Sequence, residues 1–204
     1  MKKLLFAALL STSLAAFAQQ DTVTQGILKF QETLNNEYRD AKTSPLKGKA
    51  LKKFKNHDFF PIDLNYRVEA VLKRTNESLF VPMKTTSQVI KEHRIYGMLT
   101  FTLKDKVFEV PVYQSKTLLA NEKYKDYLFF PFTDLTNGES SYGAGRYMDL
   151  RIPNGDKIIL DFNQAYNPYC AYSDGYSCPV VPADNHLDLE VLAGVRFSDK
   201  KAKH

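Results

Sequence analysis

The 204-residue chain has no tryptophan, only two cysteines and a formal charge of just +5. It also lacks any apolar run long enough to cross a bilayer, which needs about 20 residues. These shortages exclude several classes. The small charge, which falls to +3 if Lys2 and Lys3 are removed, implies neither nucleic acid nor an anionic membrane surface as a partner. The absence of a long apolar run excludes an integral membrane segment. H-E-x-x-H, G-x-S-x-G and G-x-x-x-x-G-K are all missing. Gly143-Ala144-Gly145 precedes a strand pattern rather than a helix, so it is not a dinucleotide fingerprint. Cys170 and Cys178 are too widely spaced for the usual zinc pair, even with His186 nearby. No metal and no cofactor is implied.

The N-terminus carries a processing signature. Lys2 and Lys3 precede an apolar stretch from Leu4 to Leu10, and Ala16-Phe17-Ala18 is a small-x-small cleavage site. Residues 1–18 are expected to be a signal peptide and the mature chain to begin at Gln19, exported to the periplasm or the extracellular space. In such a compartment two cysteines most simply form one disulfide, Cys170–Cys178, bridging a turn-forming loop with Ser173, Asp174 and Gly175.

Val23, Ile27, Phe30, Leu34, Tyr38 and Ala41 recur at helical steps, predicting an amphipathic helix over 21–42 within an N-terminal helical segment 19–58. The basic run Lys47, Lys49, Lys52, Lys53 and Lys55 reads as a solvated face. From Phe59 to Phe197 the pattern changes to short strands, in which the plentiful tyrosine and phenylalanine cluster. Strands are predicted over 66–73, 79–85, 89–95, 98–103, 107–113, 128–132, 146–152, 157–163 and 187–197. Turns are signalled at Thr75-Asn76-Glu77, Lys104-Asp105-Lys106 and Asn154-Gly155. The fold class is α+β and mainly β: an N-terminal helix packed on an antiparallel β-barrel or sandwich. Residues 198–204 form a basic tail.

The candidate site follows from the Asn154-Gly155 turn. A hairpin centred there sets Ile152 opposite Lys157, Leu150 opposite Ile159 and Met148 opposite Asp161. Arg146, Met148 and Leu150 would then share a face with Ile159, Asp161 and Asn163. The guanidinium and the carboxylate become diagonal neighbours, serving as a structural ion pair or as the floor of a pocket for a small anionic ligand. Tyr166, Asn167 and Asn185 complete the candidate ligand-binding set, and Tyr166, Tyr169, Tyr172 and Tyr176 could line a cleft. The alternatives are a hydrolase with Asp161 or Asp134 as general base and Arg146 holding an anionic substrate, and a module presenting its tyrosine loops to another exported protein.

Several motifs resemble an uncharacterised bacterial family, domain of unknown function 1684. They are Phe60-Pro61-Ile62-Asp63, Pro131-Phe132-x-Asp134-x-Thr136, Tyr142-Gly143-Ala144-Gly145-Arg146-Tyr147 and Asp161-Phe162-Asn163-x-Ala165-Tyr166-Asn167-Pro168, with Cys170, Cys178-Pro179, Asn185 and Ala193-Gly194. The resemblance covers most of the mature chain. It implies that Arg146, Asp161, Asn163 and Cys170 belong to a family feature, and it implies no activity.

Overall fold

A computed structural model describes residues 2–76 and 78–197, with side chains from residue 20 onward. The expected basic tail at 198–204, Glu77 of the expected turn and the side chains of the expected signal peptide lie outside them. Helix α1 spans Lys2–Arg39 and does not start at Asp21, as expected, but runs in from upstream. It stops before Lys42 because Asp40 accepts from the Lys42 amide at 2.9 Å and turns the chain. Ile27, Leu34 and Tyr38 of the predicted stripe are buried, while Ala41 is exposed. A short helix α2, Gly48–Lys53, follows, and its lysines face solvent as expected.

The rest is mainly β. Among the described residues eight strands are formed: β1 Arg67–Arg74, β2 Val81–Met83, β3 Lys91–Leu103, β4 Lys106–Ser115, β5 Tyr127–Asp134, β6 Arg146–Arg151, β7 Lys157–Asp161 and β8 His186–Leu187. A one-turn helix α3, Lys116–Leu119, separates β4 from β5. The main path of the sheet is β6-β5-β4-β3-β1-β7, antiparallel throughout, with β2 extending the β1 side of β3 and β8 pairing in parallel with β5. The sheet curls into an open half-barrel around one core that includes Leu72, Leu99, Phe101, Leu128, Phe130, Phe132, Met148, Leu160 and Phe162.

Local chemistry explains the register. Lys104 and Asp105 both take positive φ, 48° and 63°, making a two-residue turn that sets Leu103 opposite Lys106. The two strands expected over 89–103 fuse into β3, with the register shifting between Ile95 and Gly97. A side chain at Gly97 would come within 2.6 Å of the Lys73 carbonyl, so only glycine lets the strands meet there.

Two expectations are corrected. First, Asn154-Gly155 does not close a hairpin: β6 pairs with β5 and β7 pairs with β1, at opposite ends of the sheet. Arg74 donates to the carbonyls of Pro153 (2.9 Å) and Gly155 (3.2 Å), and the Leu72 amide to Asp156 (2.6 Å), so β1 captures the loop. Across the seam β6 meets only Tyr166, which exchanges both backbone hydrogen bonds with Tyr147 at 2.8 and 2.9 Å. The face assignment reverses with the pairing. Ile158 and Leu160 point into the core with Arg146, Met148 and Leu150, while Ile159 faces outward.

Second, the expected strand over 187–197 is regular only at His186–Leu187. Its alternation survives, since Leu187, Leu189, Val191, Ala193 and Val195 are all buried. The ladder does not. The carbonyls of Val191 and Ala193 accept from the Arg146 guanidinium rather than from a neighbouring strand.

Candidate functional site

Arg146 and Asp134 lie together in the interior, both with 0% side-chain exposure. Arg146 Nη2 is 2.6 Å from Asp134 Oδ2 and also donates to the Val191 carbonyl (2.8 Å), while Nη1 donates to the Ala193 carbonyl. The second carboxylate oxygen, Asp134 Oδ1, accepts from the Thr136 amide (2.8 Å), the Thr136 hydroxyl and the Val191 amide (3.3 Å). This network ties β5, β6, the turn after β5 and the C-terminal segment. The guanidinium also lies over the rings of Phe132 (5.2 Å) and Phe60 (5.8 Å). The Asp134 carboxylate, fully buried and bonded through both oxygens, lies out of reach of a substrate.

Asp161 is elsewhere. Its Oδ1 accepts from the backbone amide (3.1 Å) and side-chain amide (2.9 Å) of Asn163, and its Oδ2 lies 3.6 Å from Arg67 Nε. Asn163 in turn grips the backbone of Asp63 in both directions, accepting from its N–H and donating to its carbonyl, each at 3.0 Å. Asp161 therefore caps the turn that bends the chain from β7 toward β6. The shared Arg146–Asp161 face does not exist, and neither residue can hold a ligand with the other.

Asn185, fully buried, accepts from Tyr113 Oη and donates to the Pro111 carbonyl, both at 2.9 Å. Asn167, 1% exposed, donates to Tyr172 Oη at 2.9 Å. Gly194 sits at φ +77° where a Cβ would lie 2.5 Å from the Ala165 carbonyl. Five of the six predicted ligand residues thus bond other parts of the chain rather than line the cleft: Arg146, Asp161, Asn163, Asn167 and Asn185. The sixth, Tyr166, opens onto a cleft.

That cleft, of about 560 Å³, lies on the outer face of β5 and β6. Side chains on those strands alternate, so as Phe130, Arg146 and Met148 fill the core, Tyr127, Tyr147 and Asp149 face away from it. One wall comes from α1, through Phe30, Thr33, Leu34 and Glu37. The opposite wall is the irregular segment after β7, through Tyr166, Tyr169, Tyr176 and Cys178. The Cys170–Cys178 disulfide closes that segment on itself, and Thr86 fastens it to the chain following β2.

The polar groups of the cleft are paired in a definite way. Tyr127 (2.8 Å) and Tyr166 (2.6 Å) both donate to Asp149 Oδ1. Tyr169 donates to Glu37, and Tyr147 donates to the Pro179 carbonyl. Burial pushes all four phenols above the ordinary tyrosine range. Next in weight, the Asp149 charge raises Tyr127 and Tyr166, and the hydrogen bond to Glu37 raises Tyr169. Among the described residues no group of three or more His, Cys, Asp or Glu is placed to hold a metal.

Sequence reasoning found Tyr166, Tyr169 and Tyr176 as cleft residues and placed Tyr172 with them. Tyr172 instead packs between α1 and the C-terminal segment, against Tyr38 and Phe197. It missed Tyr127, Tyr147, Asp149 and Glu37. The signal available for the first three was strand parity: odd-numbered residues of β5 and β6 must lie on the face away from the core.

Residues 52–196, well over half of the chain, match the family model described as protein of unknown function, DUF1684. The fold is similar to the solution NMR structure of an uncharacterised protein from Haloarcula marismortui. The TM-score is 0.70 and the identity 32%, with 91% of this chain and 98% of that chain covered. No curated protein matches. Among the described residues no helix is long and apolar enough to cross a membrane.

Proposed function

We propose a binding role for this chain, which belongs to the DUF1684 family: it is an exported module that holds a small ligand in the tyrosine-lined cleft between α1 and the outer face of β5 and β6. One observation carries the reading. Asp149, an exposed carboxylate, sits in a concave aromatic site with two tyrosine hydroxyls fixed on a single oxygen. Ligand sites combine this kind of apolar lining with a few oriented polar groups. The volume suits a small organic molecule rather than a polymer.

The residues first considered as ligand contacts become the frame. Asp161 and Asn163 shape the bend that delivers Tyr166 to β6, and Arg146 with Asp134 fixes the strand from which Tyr147 and Asp149 project. The disulfide holds Tyr169 and Tyr176 in position. Export is supported by the charged and apolar N-terminus, its Ala16-Phe17-Ala18 site and the bridge itself.

Fragment binding followed by isotope-edited NMR tests the role. Fragments that bind are expected to shift the resonances of Tyr127, Tyr147, Tyr166 and Tyr169. Thr33→Trp, which fills the cleft from an exposed position on α1, should abolish those shifts while leaving the melting temperature unchanged. Fragments mapping to another surface, or shifts that persist in Thr33→Trp, would overturn the assignment.

A further inference from the structure

Most hydroxyls around the cleft have already committed their single proton. Tyr127 and Tyr166 give theirs to Asp149, Tyr169 to Glu37 and Tyr147 to the Pro179 carbonyl. Thr33 donates to the Lys29 carbonyl at 2.8 Å. What these groups still present is lone pairs, and a hydroxyl that donates to a carboxylate is the better acceptor for it. The carboxylates themselves have capacity left. No hydrogen bond to Asp149 Oδ2 or Glu37 Oε2 forms among the described residues. The two acids line the same cleft, Asp149 from its strand floor and Glu37 from the α1 wall, where Tyr169 bonds Glu37.

Among the described residues, Lys91 is the single cation in the lining, against the carboxylates of Glu37 and Asp149. Most of the remaining surface is aromatic and aliphatic, including Phe30, Leu34, Leu118, Pro168 and the tyrosine rings, with the small polar side chains of Thr33 and Ser177 beside them. Ring faces attract cations, the more so where water is excluded. A ligand carboxylate or phosphate would meet two like charges and few donors. A ligand with its own N–H groups and positive charge meets unfilled acceptors of both kinds.

We infer that the cleft takes a small organic cation, a protonated amine on an apolar ring-sized body, whose N–H groups bond Asp149 and Glu37 while the body lies against the tyrosines. The inference rests on the ligand-binding reading of this cleft and narrows it to one chemical class. It also gives α1 a defined part, since Glu37 lies upstream of the residues matched by the family model.

Three probes of one shape separate the inference from the reading beneath it: benzylammonium, benzyl alcohol and benzoate, titrated into the full chain by NMR. Benzylammonium is expected to bind about tenfold or more tighter than either isostere, the size of one charge-assisted contact. Asp149→Asn keeps an oxygen for Tyr127 and Tyr166 but removes the charge. It should erase most of that preference, bringing benzylammonium to within about twofold of benzyl alcohol in the same variant, and Glu37→Gln should act in the same direction. If all three probes shift the cleft tyrosines with equal or benzoate-favouring affinity, the cation assignment fails and ligand binding stands. If none shifts them, both fail.

Discussion

Removing the Arg146 guanidinium would strand the Asp134 carboxylate where no water reaches it, and would free the carbonyls of Val191 and Ala193 at the same time. Breaking one partner of a buried pair costs about 3–5 kcal/mol, whereas replacing both by apolar residues costs far less. Arg146→Met and Asp134→Leu are each expected to lower unfolding free energy by about 3–5 kcal/mol in urea titrations. The double variant should recover about 2 kcal/mol or more relative to the sum of the two. Additive losses would mean that the two charges do not act as a pair. At this scale the sequence was half readable. Arg146, Asp134, Asp161 and Asn163 stood out as polar residues in strand sequence, which must be bonded if buried. Their partners do not follow from the turn signal, because a hairpin at Asn154-Gly155 would put Asp161 and Asn163 on the core face, whereas β7 pairs with β1 and β6 with β5. The other parity, Ile158, Leu160 and Phe162, is entirely apolar, and it is the one that joins the hydrophobic core.

Among the elements, the segment after β7 has the least regular structure and the densest cross-links. The Thr86 amide donates to the Cys178 carbonyl and its hydroxyl to the Tyr176 carbonyl, the Val180 amide donates to the Lys84 carbonyl, and Ser87 meets Ser177 at 2.6 Å. The Cys170–Cys178 bridge adds a covalent closure to these bonds. Closing so short a loop stabilises by about 2.5 kcal/mol on the chain-entropy model. Replacing both cysteines by serine should therefore lower stability by about 2 kcal/mol, read as a fall in melting temperature. Under the binding reading, it should also weaken any cleft ligand, because Tyr169 and Tyr176 lose their tether. An unchanged melting temperature, with mass spectrometry confirming the bridge in the parent, would show that the hydrogen bonds to the chain after β2 suffice. The strands were largely legible, because period-two alternation and turn residues are local signals. The cleft was legible only on its loop side. Its floor and its helix wall join residues as far apart in the chain as Glu37 and Tyr169, and no local pattern encodes that meeting.

For the molecule as a whole, the joint between the helical segment and the half-barrel contains a histidine whose titration burial shifts. Its core is Leu34, Tyr38, Leu46 and Val195, with Phe54, Phe59, Tyr166 and Tyr172 packed around them. The α+β class and the helix-on-sheet arrangement follow from the sequence; the histidine at the joint becomes visible only once these pieces pack. His57 lies among Tyr38, Phe54, Phe59 and Tyr172, with its backbone amide 2.8 Å and its Nδ1 3.0 Å from Asn35 Oδ1. That oxygen can only accept, so Nδ1 carries the proton of a neutral ring. Burial lowers the His57 pKa to about 4, from an ordinary 6.5. The unfolded chain therefore binds a proton that the folded chain refuses throughout this interval, and stability must fall as pH drops. The contribution is complete above about pH 6.5 and exhausted below about pH 4, with about 2 kcal/mol already lost by pH 5. His93, also lowered by burial, acts in the same direction. Urea titrations at pH 7 and pH 5 should show the loss, and His57→Gln should remove about 2 kcal/mol of that difference because an amide does not titrate. A His57 ring that titrates in the folded protein near its ordinary value would show that the joint is open to water, and with it the helix wall on which Glu37 stands.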